Sequence, residues 1–135
     1  MCAMRTEAWI LRQGTKGDDQ AGVLERTLYE LPEMTECSVL AEPIYATWEA
    51  NMMHSLERKP VDVCRIRREK EVVLGNSGVA RIVAKGAKVT TCDVGDICSL
   101  IPIGSRDRHG HMIKVLGYDM PNVMGILAKQ VVWHE

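Results

Sequence analysis

Glycines divide the second half of the sequence into short runs that are rich in valine and isoleucine. Three of these runs have the β-branched content of strands: Glu71 to Lys85, Asp96 to Ile101 and Ile126 to Trp133. The separating glycines are Gly75, Gly78, Gly86, Gly95, Gly104, Gly110, Gly117 and Gly125. Many short strands at close intervals are typical of all-β folds, so this spacing predicts a small, mainly β barrel or sandwich.

The first half adds more strands and a polar loop at Gln13 to Gly22. The strands are predicted over Glu7 to Arg12, Val23 to Leu31 and Glu36 to Thr47. Simple alternation in the last of these places Tyr45 on the same face as Val39 and Ala41. Because proline cannot donate a ladder hydrogen bond, Pro43 makes this run an edge strand or a bulged one.

Trp48 to Arg58 is the best helix candidate, because Trp48, Met52, Ser55 and Leu56 recur at helical spacing. Thr47 is expected to cap its first turn, and Pro60 to end it. The sequence therefore predicts one or two short helices in a mainly β domain.

Charge and hydropathy exclude several classes of protein. The net charge is −1, whereas a general nucleic-acid binder needs a basic surface. No apolar run approaches the roughly 20 residues that cross a bilayer, and the start has no apolar signal segment. We therefore expect a cytoplasmic protein that binds neither nucleic acid nor membrane.

Side-chain composition indicates the nature of the core. Phenylalanine is absent, so the core should be aliphatic. The cysteines are Cys2, Cys37, Cys64, Cys92 and Cys98, an odd number without a CxxC pair, which indicates reduced thiols. Cys92 and Cys98 flank the Gly95 turn, and buried structural thiols are favoured there over a ligand pair or a disulfide.

A family resemblance emerges in the stretch VLGNSGVARIVAKGAKVTTCDVGDICSL, from Val73 to Leu100. It resembles the signature of the medium-chain dehydrogenase/reductase superfamily at Gly75, Gly78, Val83, Gly86, Val89, Val94, Gly95 and Asp96. The resemblance extends to Thr6 to Arg12, Ser38 to Met53 and Gly125 to Trp133. It implies a GroES-like catalytic domain, which is a partly open β-barrel, over residues 1–135, without a Rossmann domain.

This sequence also differs from the family pattern at positions that matter for catalysis. Zinc-dependent members use a cysteine and a histidine as catalytic ligands, and those positions correspond here to Thr47 and Asn76, with Ser77 beside the latter. Threonine and asparagine are poor zinc ligands, so no metal is expected. The chain looks more like the zinc-independent quinone and enoyl reductases and crotonyl-CoA reductase-like proteins, to which the GYDMP stretch at Gly117 to Pro121 is also similar.

No nicotinamide site is apparent in the sequence. Gly75-Asn76-Ser77-Gly78 is not a GxGxxG fingerprint, and no strand feeds such a turn into a helix. We expect no cofactor to bind this chain alone, and NADPH to take part only if a Rossmann partner domain exists.

Candidate site residues cluster where the resemblance implies the floor of an active site. Tyr45 and Glu49 are the catalytic candidates, for proton transfer, and the substrate-binding candidates are Thr47, Trp48, Asn51, Asn76 and Tyr118. The alternative interpretation makes Tyr45 and Trp48 core residues and Glu49 a first-turn helix residue. Nearby basic residues fit either a phosphate site or a solvated face: Arg65, Arg67 and Arg68.

Three functions remain open. The first is the substrate-binding half of a zinc-independent, NAD(P)H-dependent enoyl or quinone reductase. The second is a cofactor-free cyclase or isomerase acting on a small organic molecule, with His54 as a further candidate. The third is a non-catalytic binding module. An exposed barrel edge would suit a homodimer or a separate Rossmann-domain partner.

Overall fold

The computed structural model describes residues 3–15 and 20–134. Cys2 and part of the predicted loop at Gln13 to Gly22 lie outside these ranges. The elements are β1 (Arg5–Arg12), β2 (Leu24–Glu30), β3 (Ser38–Ala46), α1 (Ala50–Glu57), α2 (Val63–Arg67), β4 (Glu71–Val73), β5 (Gly78–Lys85), β6 (Ile97–Leu100), β7 (Ser105–Arg106), β8 (Met112–Lys114) and β9 (Val131–His134).

The strands form two main antiparallel sheets. One has the order β2-β1-β4, the other has the order β6-β5-β3-β9, and β7 and β8 form a separate hairpin. The sheets do not close into a complete barrel. The predicted fold, a mainly β, partly open GroES-like barrel with two short helices, is confirmed.

Two aliphatic clusters form the core, and no aromatic side chain is among their fully buried members. The first contains Ala8, Ile10, Leu31, Val39, Ala41, Val73, Ala80, Ile82, Val89, Met124, Val131 and Val132. The second contains Leu11, Met52, Val63, Cys64, Val72 and Leu74. Through this cluster, α1 and α2 pack against β1 and β4. The predicted aliphatic core is confirmed. Tyr45 and Trp48 are not core residues, because they are 75% and 50% exposed.

Register shifts between β3 and β5 decide which β3 side chains face the core. The register against β5 shifts between Leu40 and Ala41 and again between Pro43 and Tyr45. The second shift interrupts the alternation, so Tyr45 is exposed while Ala41 is buried. The prediction that these two residues share a face is wrong for that reason. Pro43 lies in a bulged strand, as one alternative held, but β3 lies between β5 and β9 and is not an edge.

Two predicted strands are shorter than expected. The run Glu71 to Lys85 is divided into β4 and β5 by residues 74–77, which include Gly75 at φ +104°. A Cβ atom at Gly125 would lie 2.2 Å from the Leu74 carbonyl group, so the chain near residue 125 passes directly against this connection. The strand expected from Ile126 begins only at Val131.

The helices also differ from expectation. Glu49, and not Thr47, is the N-cap of α1, and its side chain makes no capping hydrogen bond. Helix α2 was not predicted; Asp62 caps it by accepting a hydrogen bond from the Arg65 amide. Arg67 on α2 is only 5% exposed, so the solvated-face interpretation is wrong for this residue. Among the described residues, no helix has the length and apolar character that would cross a membrane.

Candidate functional site

A cleft of about 350 Å³ opens between the two main sheets. Strand β1 and the facing part of β2 form one wall, the end of β3 forms the other, and a segment just before β9 forms the floor. The lining residues are Glu7, Ala8, Trp9, Arg26, Pro43, Ile44, Tyr45, Ala46, Ile126, Leu127, Ala128 and Lys129. Its position follows from the incomplete closure of the sheets.

Backbone hydrogen bonds fix the floor of the cleft against β1. The Trp9 amide donates to the Leu127 carbonyl at 2.9 Å, and the Lys129 amide donates to the Glu7 carbonyl at 2.8 Å. Trp9 stands directly opposite Arg26 in the β1–β2 register, and its indole is 45% exposed. The cleft therefore has a hydrogen-bonded backbone frame and an accessible aromatic side chain.

Three charged side chains form the polar end of the cleft. The Glu7 carboxylate accepts a hydrogen bond from the Arg26 guanidinium and lies 3.3 Å from the Lys129 ammonium. The hydrogen bond from Arg26 is the main reason that the pKa of Glu7 is lowered. With two cations and one anion, this charged triad carries one net positive charge.

The apolar end of the cleft contains Tyr45, the one sequence-predicted site residue that lines it. Immediately beyond β3, Thr47 turns away and contacts the connection before β5. Its amide and its hydroxyl both donate to the Ser77 carbonyl, at 3.0 and 3.2 Å. A Cβ atom at Gly78 would lie 2.3 Å from the Tyr45 carbonyl oxygen, so only glycine fits there. This contact brings the segments of Thr47 and Asn76 together.

The other predicted residues of this junction belong to the start of α1. The Trp48 indole donates to the Met53 sulfur at 3.2 Å. Glu49 is half-buried, and its Oε1 atom finds no hydrogen-bond partner among the described residues. Asn51 is half-buried, and its carbonyl accepts a hydrogen bond from Ser55. None of these three side chains lines the cleft.

Asn76 and Tyr118 lie deeper in the fold. Asn76 is 1% exposed, and its Oδ1 atom has no donor within the described part of the chain. Tyr118 packs against the second core cluster, and burial raises the pKa of its hydroxyl. A Cβ atom at Gly117 would lie 3.0 Å from the Asn76 Cα atom, so the two segments are in close contact. Neither side chain lines the cleft.

Arg67 and Glu69 form a buried network that sequence reasoning missed. The guanidinium makes two hydrogen bonds of 2.9 Å to the Glu69 carboxylate. It also donates to the carbonyls of Tyr118 and Val123, at 3.3 and 2.8 Å. Glu69 in turn accepts a hydrogen bond from the Asn122 amide. The network ties α2 to the segment that leads into the floor of the cleft.

Glu7, Trp9, Arg26 and Lys129 were likewise not predicted as site residues. One signal was present, since Glu7 and Trp9 alternate with the apolar Ala8 and Ile10 and so must share the outer face of their strand. The pairing with Arg26 and Lys129 depends on strand register and on a distant segment, which local pattern does not reveal.

The glycine-containing connection from Gly75 to Gly78 does not have the form of a dinucleotide-binding turn. The glycine-containing connection from Gly75 to Gly78 enters β5 and not a helix. It is packed tightly, because a Cβ atom at Gly75 would lie 2.8 Å from the Ile126 side chain. It therefore presents no row of free amides at a helix N-terminus to a pyrophosphate.

The sequence matches no family model and is similar to no curated protein. Solved structures, by contrast, share its fold. Crotonyl-CoA carboxylase/reductase AntE in complex with NADP superposes with a TM-score of 0.78 at 17% identity, over 100% of this chain and 36% of that chain.

Two further structures agree. The 2-octenoyl-CoA carboxylase reductase CinF from Streptomyces sp. gives a TM-score of 0.76 at 18% identity, covering 96% of this chain and 37% of its own. A quinone oxidoreductase from Coxiella burnetii gives 0.66 at 16% identity, covering 97% and 35%. The chain thus spans about a third of the length of these solved chains. The fold implied by the resemblance to medium-chain dehydrogenase/reductases is confirmed.

Proposed function

We propose that this chain is the substrate-binding half of a zinc-independent, NAD(P)H-dependent reductase that acts on an enoyl thioester or a quinone. The observation that carries the proposal is the shared fold: nearly the whole chain superposes on about a third of several reductases. Because a fold alone does not specify an activity, the support for a substrate class comes from the side chains of the cleft.

The cleft suits a flat, conjugated organic molecule with an anionic group. Trp9 and Tyr45 supply exposed aromatic surfaces, and Ile44 and Leu127 add apolar contacts. The charged triad at the other end, with one net positive charge, would attract a negatively charged tail. Both cations pair with Glu7, but Arg26 is the closer of the two and Lys129 is the more exposed, so the Lys129 ammonium is the better partner for an anionic group.

Tyr45 is the best candidate for direct contact with substrate. Its side chain is 75% exposed and lines the cleft, so its hydroxyl can donate a proton or a hydrogen bond to a carbonyl oxygen. Glu49 has a buried carboxylate oxygen without a hydrogen-bond partner in the described part of the chain, and it stays the second predicted proton-transfer residue although it does not line the cleft. Thr47, Trp48, Asn51, Asn76 and Tyr118 stay predicted substrate-binding residues, and none of them lines the cleft.

The nicotinamide would be held by a Rossmann domain outside the described residues, either on another polypeptide or elsewhere in a longer chain. A Rossmann-domain partner or a second copy of this chain would each pair with an exposed edge strand of a sheet. Within the described residues, the edge strands are β2 and β4 in one main sheet and β6 and β9 in the other.

The test is a calorimetric titration of the purified chain with crotonyl-CoA, with a benzoquinone and, separately, with NADPH. We expect micromolar binding of one of the first two and no binding of NADPH. Tyr45→Ala and Trp9→Ala should each weaken substrate binding about tenfold, which corresponds to about 1.4 kcal/mol. Tyr29→Phe is the matched control, because Tyr29 does not line the cleft.

Three outcomes would contradict the proposal in different ways. Binding of neither substrate class would refute the assigned substrate. Equal affinities for wild-type protein and the Tyr45→Ala variant would refute the cleft as its site. NADPH binding would show that the chain has its own cofactor site. Turnover of an organic substrate without nicotinamide would instead establish a cofactor-free cyclase or isomerase.

A further inference from the structure

Strand β6 lies at the edge of its sheet, and one of its two sides is open. On the other side it pairs with β5, where Cys98 stands opposite Ala80 and Ser99 stands opposite Val79. Within residues 3–15 and 20–134, no second strand pairs with β6. The open side therefore presents backbone groups that a further strand could bind.

The hydrogen-bond pattern identifies the backbone groups on the open side. The Ile82 amide of β5 donates to the Asp96 carbonyl at 2.9 Å, just before β6 begins. Antiparallel bonds recur at every second residue, so Cys98 makes the next ones to β5, and the amides and carbonyls of Ile97 and Ser99 point away from it. Among the described residues, these outward groups have no hydrogen-bond partner.

The side chains beside this open edge are apolar or uncharged. Ile97 is 58% exposed and Ile101, just beyond the strand, is 62% exposed. Ser99 lies between them, is also exposed, and shares their face by alternation. Residues 97–105 contain no charged side chain. Charged side chains are a common means of preventing sheet edges from pairing, and this edge has none.

The other three edge strands of the described ranges are protected. Strand β2 carries Glu25 and Arg26, both in ion pairs. Strand β4 has only three residues and includes the ion-paired Glu71. Strand β9 is covered by Met124, whose sulfur accepts a hydrogen bond from the Val132 amide at 3.5 Å. Strand β6 is therefore the edge at which pairing with another chain meets the least resistance.

We propose that β6 is the interface of a homodimer, in which it pairs antiparallel with β6 of a second copy about a two-fold axis at Ser99. The two Ser99 residues then exchange both of their outward backbone hydrogen bonds. Each Ile97 lies opposite Ile101 of the second copy, and the two four-stranded sheets become one continuous sheet. This interface does not depend on the reductase activity proposed above.

A second copy fits this edge because the edge is self-complementary. A two-fold interface uses the same surface on both subunits, so its contacts must match when the strand is reversed. Ile97 and Ile101 lie at equal distances along the chain on either side of Ser99, so apolar side chains meet apolar side chains across the axis. The same register places Asp96 opposite Pro102 of the second copy, so no like charge faces it.

The first test is sedimentation velocity of the purified full chain from about 1 µM to about 100 µM. We expect a monomer–dimer equilibrium within this range. Ile97→Lys should raise the dissociation constant at least about tenfold, because the exposed site tolerates lysine in the monomer and the interface does not. Leu28→Lys is the matched control: Leu28 is 64% exposed on the edge strand β2, and its replacement should leave the dimer unchanged.

A second variant removes one backbone donor at the centre of the interface. Ser99→Pro removes the outward amide of Ser99, which makes no bond to β5, and proline is accepted on the open side of an edge strand. It should raise the dissociation constant at least as much as Ile97→Lys does.

Hydrogen exchange of the wild-type protein locates the interface without any variant. The Ser99 and Ile97 amides should exchange slowly at concentrations that give the dimer, and should lose this protection when dilution gives the monomer. The Cys98 amide, which is directed towards β5, should stay protected at both concentrations and serves as the internal reference.

Three results would overturn the proposal. One is a monomer at about 100 µM, the highest concentration of the series. Another is a dimer in which the Ser99 amide exchanges as fast as it does in the monomer, since a different surface would then form the contact. The third is that Ile97→Lys weakens the dimer no more than Leu28→Lys does.

Discussion

Arg67→Ala is expected to be the most destabilising substitution of a charged residue, because it breaks a buried network. The Arg67 side chain is 1% exposed and that of Glu69 is 20% exposed. Removing the guanidinium deprives the Glu69 carboxylate of two hydrogen bonds and two backbone carbonyls of one each. Loss of one partner of a buried ion pair typically costs about 3–5 kcal/mol.

The lower end of that range applies here. Glu69 keeps some contact with solvent and still accepts the Asn122 amide hydrogen bond, so we expect a cost of about 3 kcal/mol. For a domain of this size, that is a fall in Tm of about 12 °C. Arg67→Lys keeps the charge but loses the two-pronged geometry, and it should lie between the wild type and Arg67→Ala.

Urea denaturation followed by circular dichroism measures these costs. Arg65→Ala is the matched control: Arg65 is on the same helix, its side chain is 38% exposed, and it pairs with Asp62. An exposed pair of this kind contributes up to about 1 kcal/mol. If Arg67→Ala costs no more than Arg65→Ala, the network does not stabilise the fold and the reasoning fails.

Three further substitutions probe the core, a close backbone approach and a buried thiol. Met52→Ala should lower the free energy of unfolding, measured by urea denaturation, by about 3 kcal/mol, because Met52 is fully buried. Met53→Ala, at a 45% exposed position, should lower it by less than about 1 kcal/mol. Similar costs for the two variants would contradict the assigned packing. Gly125→Ala should lower Tm more than Gly110→Ala, since the new Cβ would lie 2.2 Å from backbone at the first site, whereas at the second it has open space and only the φ of +85° disfavours it. The reverse order would refute the close approach. Burial raises the pKa of Cys64 from 9.0 to about 11. As the pH rises, the Cys64 thiol therefore loses its proton in the unfolded chain before it does so in the folded one. The stability that this thiol contributes below pH 9 is lost as the pH rises towards 11. Cys64→Ala should show a shallower fall in the free energy of unfolding over that interval, and an identical pH profile would count against this assignment.

The sequence predicted the β architecture because its signals are local. Glycine spacing, β-branched runs and the apolar spacing from Trp48 to Leu56 depend on neighbours within a few residues. For this reason β1, β3 and α1 were expected close to where they lie. Helix α2 was missed, because its five residues, VCRIR, are too few to show a helical period.

The candidate site was predicted only in part. Tyr45 does line the cleft, and Thr47 does meet the Asn76 segment through Ser77. The face of Tyr45 was predicted wrongly because a bulge adds a residue to one strand, and bulges depend on the partner strand. One interpretation of the sequence placed Arg67 in a solvated basic run. Its neighbours in sequence do not show that its guanidinium bonds to Glu69, Tyr118 and Val123.

By itself, the sequence determined the aliphatic core, the mainly β fold and the superfamily resemblance, since these follow from residue types and short spacings. Only the tertiary structure decided which residues share the cleft, because β1, β2, β3 and the segment before β9 meet through long-range pairing.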